Sequence, residues 1–473
     1  MNEMPAKGCH IHLIAVCGVG MASLAGLLKG QGYRVTGSDQ NVYPPMSTYL
    51  AQAGIDVQNG FDAQHLADRP DLVIIGNAVS RGNPEAEAVL DSNIPYLSFP
   101  QALGKFLIGT RQSIVVTGTH GKTTTTALAA WVLKRAGLDP GFFVGGVPLN
   151  FGSGWHRGES DQVVLECDEY DSAFFDKGPK FLHYRPKSVI LTSVEFDHAD
   201  IYRDLDHLKE AFRSLARLVP ASGLLVACYD YPAVREVVKA GSCRVVSYGD
   251  DEICDWTVRN IRADGRRSYF DPCFREVSEG IVELGAIGRH NVKNALGVYV
   301  LARELGMDRS NLLEGFASFS GVKRRQEFKG EKRGVLVIDD FAHHPTAVAE
   351  TIKAVRDAFS GRRVWAIFEP RSNTSRRNVF EREFSLALSL ADRVVVSNLH
   401  QPDKIPEAER LSVERVVDAI NQSAGREQAV AINGADKIAA HVSTRATVGD
   451  IVLVMSNGAF DGVQDKILSG LAS

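Results

Sequence analysis

The stretch at residues 113–137, SIVVTGTHGKTTTTALAAWVLKRAG, limits the possible fold more than any other part of the chain. It opens with the apolar, β-branched run 114–116, passes through a glycine turn at 118–121, and continues with apolar residues at helical spacing. A strand, a glycine-rich turn and a helix in this order form the context that a phosphate-binding loop requires. We therefore predict an α/β protein with a nucleoside-triphosphate site.

The chemistry of such a loop assigns roles to its residues. Glycines let backbone N–H groups close around phosphate oxygens, and the following helix directs its positive end at them. Lys122 would reach the β- and γ-phosphates, and the Thr123 hydroxyl would meet Mg²⁺. The match to G-x-x-x-x-G-K-[ST] is incomplete, because Val116 stands where the first glycine is expected. The predicted nucleotide-binding residues are Gly118, Thr119, His120, Gly121, Lys122, Thr123 and Thr124.

Composition narrows the class of protein. A length of 473 residues predicts three domains of about 150 residues each. The net charge of −4 gives no general affinity for nucleic acid or membranes, and no apolar run reaches the roughly 18 residues that span a bilayer. Seven cysteines without a C-x-x-C pair argue against a disulfide framework or a structural zinc site. The N-terminal residues lack the apolar core of a signal peptide, so we expect a cytoplasmic protein without membrane insertion.

The first segment reads as alternating strands and helices. Strands are predicted at 10–16, 33–37 and 71–75, and helices at 22–31 and 84–91. This alternation predicts a parallel sheet that is covered on both faces.

A glycine turn of this segment suggests a second nucleotide site. Gly18-x-Gly20-x-x-Ser23 nearly matches the dinucleotide fingerprint, and Asp39 lies near the offset of its ribose-binding acid. One interpretation is a nicotinamide or flavin site. The other, which we favour because the third glycine is missing, is a different nucleotide whose diphosphate rests on the helix N-terminus.

Polar residues follow two later strands. The strand at 162–165 runs into Glu166, and the strand at 188–192 runs into the motif EFDH, which ends at His198. Ligands of open α/β sheets bind beyond the carboxyl ends of the strands, so Thr123, Glu166 and His198 should converge. Mg²⁺ prefers oxygen ligands, which a hydroxyl and a carboxylate supply; His198 would bind a metal directly or through another group.

Residues 321–325 mark a predicted domain boundary. A basic connector, GVKRR, follows the predicted helix 292–304, and strand–helix alternation then restarts as a third, doubly wound domain. Its strands are predicted at 335–338, 363–368, 392–397 and 451–455, with a helix at 346–359.

Two strand ends of this third domain carry His343, His344 and Arg371. Neighbouring histidines on a turn diverge, so these residues favour a substrate or phosphate contact over a zinc site. Together the domains indicate ATP-driven chemistry on a nucleotide-linked substrate, by a kinase, a ligase or a motor ATPase.

Six motifs occur in an order that resembles the Mur ligase family, and the resemblance covers nearly the whole chain. Within that family the loop substitution at Val116 is normal. The motifs are TGTHGKTTT (117–125), ECDEYD (166–171), EFDH (195–198), GRHNVKN (288–294), GVKRR (321–325) and DDFAHHPT (339–346).

The resemblance implies three domains. A Rossmann-like domain at 1–111 would bind a UDP-linked substrate, and a P-loop ATPase-like domain with a mixed sheet at 112–321 would bind ATP. A Rossmann-like domain at 322–473 would bind the incoming peptide and close the ATP site.

The resemblance also implies a reaction. ATP and Mg²⁺ would activate the carboxylate of UDP-N-acetylmuramate as an acyl phosphate, and an amine would then form the amide with release of ADP and phosphate. Stretches at 41–47, 76–85, 145–152, 169–177, 183–186 and 368–374 resemble family members whose acceptor is the tripeptide L-alanyl-γ-D-glutamyl-meso-diaminopimelate, used in peptidoglycan recycling. The alternatives are a family member that adds L-alanine alone, or an NAD(P)-binding protein.

Residue roles follow by motif position, as the resemblance implies them. The catalytic residues would be Lys122, His198, His343 and Arg371, and the Mg²⁺ ligands would be Thr123, Glu166 and His198. His290, Asn291, Asn294, Arg325 and Asp340 would complete the ATP site. Gly18, Gly20, Asp39, Ser80 and Asn83 would contact the UDP-linked substrate.

Overall fold

The computed structural model describes residues 5–43, 46–196 and 201–472, and its largely parallel sheets with intervening helices confirm the predicted α/β class. The chain forms two compact units. The first comprises the residues up to Glu195 together with Asp206–Thr257 and Leu296–Gly315, and the second consists mainly of Val258–Ala295 and the residues from Phe316 onward. Across the described ranges, no helix is both long enough and apolar enough to cross a membrane.

The first unit begins with a five-stranded parallel sheet. Its strand Leu72–Ile75 is apolar and fully buried, as expected for a sheet with helices on both faces. In spatial order the strands are Asp56–Asn59, Arg34–Asp39, His10–Ile14, Leu72–Ile75 and Tyr96–Ser98. The helices are Val19–Gly30, Met46–Gln52, Pro84–Leu90 and Phe99–Leu103, with a 3₁₀ turn at Ala63–Leu66 and a π turn at Gly104–Ile108.

A second sheet of the same unit carries the predicted phosphate loop. The strand Gln112–Thr117 lies between Pro186–Leu191 and Gln162–Glu166, and all three run parallel. In spatial order the strands are Arg244–Gly249, Leu224–Cys228, Pro186–Leu191, Gln112–Thr117, Gln162–Glu166, Gly141–Phe143 and the antiparallel Trp155–His156, with Trp256–Asp264 starting beside Arg244–Gly249. The helices are Lys122–Arg135, Leu205–Leu218 and Pro232–Val237, with a 3₁₀ turn at Val238–Ala240. The helices Arg289–Glu304 and Arg309–Ala317 belong to this unit from Leu296 to Gly315.

A hairpin follows Glu166 and packs on the N-terminal sheet. Its strands are Asp171–Ala173 and Asp176–Pro179, and the 3₁₀ turn Lys180–His183 comes directly after. We call these residues the 171–183 segment. Asp176 Oδ2 accepts a 2.6 Å hydrogen bond from Ser98 Oγ and lies 2.8 Å from His183 Nε2. The Phe175 ring meets the Tyr96 ring edge-on at 5.0 Å, so the first unit includes both sheets.

The second unit contains a six-stranded sheet with helices on both faces. Leu453 packs in one hydrophobic cluster, whereas Val452 and Val454 pack in the other, as the alternation of a buried strand requires. In spatial order the strands are the antiparallel Glu327–Lys332, then Val335–Asp340, Ile451–Met455, Val364–Phe368, Arg393–Val396 and Ala429–Ala431. The helices are Pro345–Ala358, Glu381–Leu388, Val413–Ala424, Ala435–Arg445 and Val463–Ala472. Further elements are the antiparallel strands Arg267–Phe274, Val277–Ser278 and Val282–Leu284, and 3₁₀ turns at Asn378–Phe380, Pro402–Lys404, Glu407–Glu409 and Phe460–Gly462.

Candidate active site

The loop between Gln112–Thr117 and Lys122–Arg135 has a backbone that only glycine adopts easily. Gly118 has φ of +130°, and a Cβ at this position would lie 2.4 Å from Thr192 Oγ1. Gly121 has φ of +80° and precedes the first residue of the helix. The two glycines therefore let the loop turn tightly against the neighbouring strand and present the helix N-terminus, the geometry that phosphate binding uses.

Two other loop residues tie the loop to the end of the neighbouring strand. Thr119 Oγ1 donates to the Glu195 carbonyl at 3.0 Å and accepts from the Glu195 amide at 2.9 Å. The His120 amide donates to Ser193 Oγ at 2.9 Å, and His120 Nε2 lies 2.8 Å from Glu195 Oε2. Thr124 lies in the first turn of the helix. A direct contact of Thr119, His120 or Thr124 with a nucleotide stays a prediction.

The Lys122 ammonium is surrounded by oxygen atoms of the protein. Its Nζ donates to the Gly118 carbonyl at 2.7 Å and lies 3.2 Å from Glu169 Oε2 and 3.7 Å from Asp168 Oδ1. Burial alone would lower the pKa of Lys122, but the carboxylates of Glu169 and Asp168 outweigh it and raise that pKa above its usual value. The residue is therefore a fixed cation at the mouth of the loop.

Thr123 and Glu166 form a pair of oxygen groups. Thr123 Oγ1 donates a 2.7 Å hydrogen bond to Glu166 Oε1, and the Gly145 amide donates to Glu166 Oε2 at 2.6 Å. Burial and the nearby Asp168 raise the pKa of Glu166. A hydroxyl and a carboxylate at this position match the donor set of Mg²⁺, which completes its coordination with water and phosphate oxygens.

A second lysine, Lys180, binds the acidic residues that follow Glu166. Lys180 Nζ donates to Asp168 Oδ2 at 2.6 Å and lies 4.4 Å from the centre of the Tyr170 ring. Burial opposes ionisation of Asp168, yet Lys180 and Lys122 hold its pKa well below the usual range. Sequence reasoning missed the roles of Asp168, Glu169 and Lys180. The motif ECDEYD was the signal for the two acids, whereas the lysine lies outside every motif.

The predicted histidine of this site lies outside the described residues. His198 belongs to residues 197–200, so its meeting with Thr123 and Glu166 stays a prediction. Within the described ranges, no three His, Cys, Asp or Glu side chains are grouped so that they could hold a metal ion.

A cavity of about 460 Å³ opens at the carboxyl edge of the N-terminal sheet. Gly18 precedes the helix Val19–Gly30, as in a diphosphate site. Asp39 accepts hydrogen bonds at 2.8 Å from the amides of Cys17 and Asn41, so it braces two loops. The cavity is lined by Ala15, Cys17, Gly18, Gly20, Met21, Asp39, Gln40, Asn41, Tyr43, Phe61, Gly76, Asn77, Ala78, Phe99 and Lys180.

Two further residues predicted to bind the UDP-linked substrate lie elsewhere in the described part of the chain. Neither Ser80 nor Asn83 is among the residues that line the cavity. Asn83 caps the helix Pro84–Leu90, because its Oδ1 accepts from the amides of Glu85 and Ala86 at 3.1 and 3.0 Å. A substrate contact of Ser80 or Asn83 stays a prediction.

A polar cluster in the second unit joins most of the remaining predicted ATP residues. Asn291 Nδ2 donates to Gln326 Oε1 at 3.0 Å, and Asn294 Nδ2 lies 3.3 Å from Asn291 Oδ1. The Gln326 amide donates to Asp340 Oδ2 at 2.8 Å, and its side chain lies 3.4 Å from His290 Nε2. Gln326, which sequence reasoning missed, is the hub that links the start of helix Arg289–Glu304 to the strand Val335–Asp340.

The electrostatics of this cluster favour neutral and weakly polar partners. Burial lowers the pKa of His290 to about 4, so its imidazole is neutral at pH 7. Burial also raises the pKa of Asp340, while Arg325 acts in the opposite direction. The Arg325 guanidinium lies 4.5 Å from the centre of the Phe341 ring. A neutral imidazole and carboxamides suit a nucleobase better than a phosphate.

The predicted acceptor residues lie at the carboxyl edge of the six-stranded sheet. His343 Nδ1 lies 2.9 Å from the Phe341 carbonyl, and Arg371 lies 3.6 Å from Glu369 Oε1. A Cβ on Gly458 would lie 2.0 Å from Arg371 Nε, so the glycine leaves room for the guanidinium. His344 caps the helix Pro345–Ala358 through the Thr346 amide. Contacts of His343 and Arg371 with a substrate stay predictions.

Comparison with known proteins defines the class. Residues 10–111 match the Mur ligase family catalytic domain, residues 116–302 the Mur ligase middle domain, and residues 324–458 the Mur ligase glutamate ligase domain. The chain belongs to the Mur ligase family of ATP-dependent amide ligases. A nucleotide contact of Gly18, Gly20 or Asp39 stays a prediction.

Individual relatives are similar over their full length. The chain is 42% identical to the UDP-N-acetylmuramate–L-alanyl-γ-D-glutamyl-meso-2,6-diaminoheptandioate ligase of Escherichia coli, with 98% of both chains covered. It is 32% identical to the UDP-N-acetylmuramate–L-alanine ligase of Desulforapulum autotrophicum, over 99% of this chain and 100% of that protein. The crystal structure of a murein peptide ligase from Psychrobacter arcticus matches with a TM-score of 0.73 and 36% identity, over 98% of this chain and 99% of that one.

Proposed function

We propose that this protein is an ATP-dependent ligase that joins the tripeptide L-alanyl-γ-D-glutamyl-meso-diaminopimelate to UDP-N-acetylmuramate, a reaction of peptidoglycan recycling in the cytoplasm. One observation carries the proposal: 42% identity over 98% of the chain to a ligase named for this pair of substrates. The contacts of Lys122, Thr123 and Glu166 in the first unit support an active enzyme, because an ammonium, a hydroxyl and a carboxylate beside a glycine turn are the groups that phosphoryl transfer uses.

The first half-reaction activates the carboxylate. A carboxylate oxygen of the muramyl group attacks the γ-phosphorus of ATP, the bond to the β-phosphate oxygen breaks, and ADP leaves with an acyl phosphate remaining. Lys122 neutralises charge on the transferred phosphoryl group, and the Gly118–Gly121 turn binds phosphate oxygens through backbone N–H groups. These groups act by position and charge, so no covalent enzyme intermediate is required.

Thr123 and Glu166 are the residues we propose to hold Mg²⁺. The divalent ion would neutralise phosphate charge when bound. The hydrogen bond between the two side chains and the Gly145 amide on Glu166 keep both oxygen atoms at the loop mouth. The charge of the site supports this assignment, because Asp168 and Glu169 pair with the two cations Lys122 and Lys180, and Glu166 adds a third carboxylate. His198 is proposed as a further ligand on motif position alone.

The second half-reaction forms the amide. The free amine of the tripeptide attacks the acyl phosphate carbon, a tetrahedral intermediate collapses, and phosphate leaves. We propose that residues 1–111 bind the UDP-linked substrate, residues 112–321 bind ATP, and residues 322–473 bind the peptide. His290, Asn291, Asn294, Arg325 and Asp340 would lie at the nucleoside end of ATP. His343 and Arg371 would face the incoming peptide, where a guanidinium suits a carboxylate.

The test measures ADP release with Mg-ATP and UDP-N-acetylmuramate, and compares the tripeptide with L-alanine as acceptor. Turnover that depends on the tripeptide is the expected result. Turnover mainly with L-alanine would assign the chain to the activity for which the 32% identical relative is named. Absence of turnover with both acceptors would contradict the proposal.

A further inference from the structure

Lys180 belongs to both candidate sites of the first unit. Its Nζ donates a 2.6 Å hydrogen bond to Asp168 Oδ2 beside the phosphate loop. The same residue lines the cavity that contains Gly18 and Gly20. Among the described residues that line this cavity, Lys180 is the one with a cationic side chain. A group bound in the cavity therefore meets a positive charge on the side that faces the phosphate loop.

The 171–183 segment fixes the position of this ammonium group. Ser98 and His183 hold Asp176 of the hairpin, and the Lys180 side chain is only 12% exposed. The ammonium also lies over the Tyr170 ring, which restricts it further. Because the side chain is already ordered, binding an anion costs little additional conformational entropy.

The Asp168 carboxylate lies between two ammonium groups, those of Lys122 and Lys180. Its Oδ1 lies 3.7 Å from Lys122 Nζ, and its Oδ2 lies 2.6 Å from Lys180 Nζ. An ammonium has three N–H donors, so the bond from Lys180 to Asp168 leaves donors for a further acceptor. The arrangement therefore suits two anions that must approach each other, one at each lysine.

We propose that Lys180 binds the muramyl carboxylate of the UDP-linked substrate and holds it beside the γ-phosphate that Lys122 binds. The inference rests on the proposed function, which requires this carboxylate to attack the phosphoryl group. Both reactants are anions, so their approach is unfavourable unless cations flank them. Lys180 donates a hydrogen bond to one carboxylate oxygen and transfers no proton, which leaves the other oxygen ionised to attack the phosphorus.

The test uses a ligand pair that differs in the carboxylate. UDP-N-acetylglucosamine lacks the lactyl ether, and hence the carboxylate, of UDP-N-acetylmuramate. We expect the wild-type protein to bind UDP-N-acetylmuramate at least about tenfold more tightly, as befits a charge-assisted hydrogen bond. Lys180→Met should abolish this preference and leave the affinity for UDP-N-acetylglucosamine unchanged. Lys177→Met is the matched control, because Lys177 lies in the same 171–183 segment with a side chain that is 69% exposed.

Two outcomes would overturn the inference. A preference that persists in Lys180→Met would show that another group binds the carboxylate. An equal loss of affinity for both ligands would instead place Lys180 on the diphosphate. Turnover of wild type and Lys177→Met with the tripeptide is measured in parallel, so a failure of the proposed function appears there and not in the ligand comparison.

A second measurement needs no variant and covers the case in which Lys180→Met does not fold. Trace acetylation of the wild-type protein is read out by peptide mass spectrometry at Lys180 and Lys177. UDP-N-acetylmuramate should protect Lys180 more than UDP-N-acetylglucosamine does, and Lys177 should react equally with either ligand present. Equal protection of Lys180 by both ligands would contradict the inference.

Discussion

Thr123 and Glu166 share a 2.7 Å hydrogen bond although 43 residues separate them in the chain. The sheet explains this contact, because the strands Gln112–Thr117 and Gln162–Glu166 are parallel neighbours whose carboxyl ends meet at one edge. The sheet thus holds the hydroxyl and the carboxylate side by side. Three predictions follow for the first unit, and a fourth concerns the second unit.

Thr123→Val should raise the Mg²⁺ concentration needed for half-maximal ADP release by about tenfold or more, because the hydroxyl proposed to bind the ion is lost while the shape is kept. Thr123→Ser retains a hydroxyl and is the matched control. A magnesium titration of initial rates distinguishes the two variants. An unchanged requirement in Thr123→Val would remove Thr123 from the proposed metal ligands.

Lys122→Ala should reduce turnover by about 10²–10³-fold or more, because the cation proposed to neutralise the phosphoryl group is removed. Binding of UDP-N-acetylmuramate should persist, since Lys122 does not line the N-terminal cavity within the described residues. Steady-state rates and isothermal titration calorimetry measure the two effects. Lys134→Ala, on the same helix and paired with Asp139, should behave like wild type. Full activity of Lys122→Ala would refute the phosphate role.

Gly118→Ala should destabilise the first unit by more than about 2 kcal/mol, because backbone strain adds to an overlap with Thr192 and Ser193. Gly137→Ala is the control: its φ of +95° carries strain of about 1–2 kcal/mol, but no atom lies within 4 Å of the added Cβ. Thermal unfolding of both variants separates strain from overlap. Equal unfolding temperatures of the two variants would show that the loop shifts to accommodate the added methyl group, and would contradict the predicted overlap.

Asp339→Asn should change the pH dependence of stability in the second unit. Burial raises the pKa of Asp339 to about 6, against the opposing effects of Gln464 and Arg324. A carboxyl whose folded pKa is raised stabilises the fold below its unfolded pKa of 3.8 and loses that contribution as the pH rises through 6. Relative to wild type, the variant should therefore gain up to about 3 kcal/mol of stability between pH 4 and pH 8.

Unfolding temperatures across this pH range test the effect. Asp436→Asn is the control, because the Asp436 side chain is 87% exposed. A constant difference between Asp339→Asn and wild type from pH 4 to pH 8 would contradict the assigned shift.

Apolar strands and the loop glycines were predictable from the sequence because their signals are local. The strand Ile451–Met455 was predicted with the bounds that the structure shows, and its five residues are all buried. By contrast, the edge strand Glu327–Lys332 reads EFKGEK and carries no apolar pattern. Charged edge strands pair with one neighbour only and leave little trace in hydrophobic periodicity.

Site residues outside motifs could not be predicted, because tertiary contacts give them their position. Lys180 meets Asp168 only after the hairpin folds back, and Gln326 reaches Asn291 across 35 positions of sequence. Asp39 differs, because a local pattern pointed to it. Its place in the pattern predicted a ribose contact, which stays a prediction, and in the structure its carboxylate accepts hydrogen bonds from two backbone amides.

The 171–183 segment limits how far the parts of this enzyme can be exchanged. Its hairpin follows the strand Gln162–Glu166 in the chain, yet it contacts Ser98 and Tyr96 of the N-terminal sheet. It also supplies Lys180 to the wall of the N-terminal cavity. A chimera that joined residues 1–111 to the remainder of a different ligase would thus lack one wall residue of the N-terminal cavity. If the cavity binds the UDP-linked substrate as proposed, substrate choice in such recombinants should follow the 171–183 segment as much as residues 1–111.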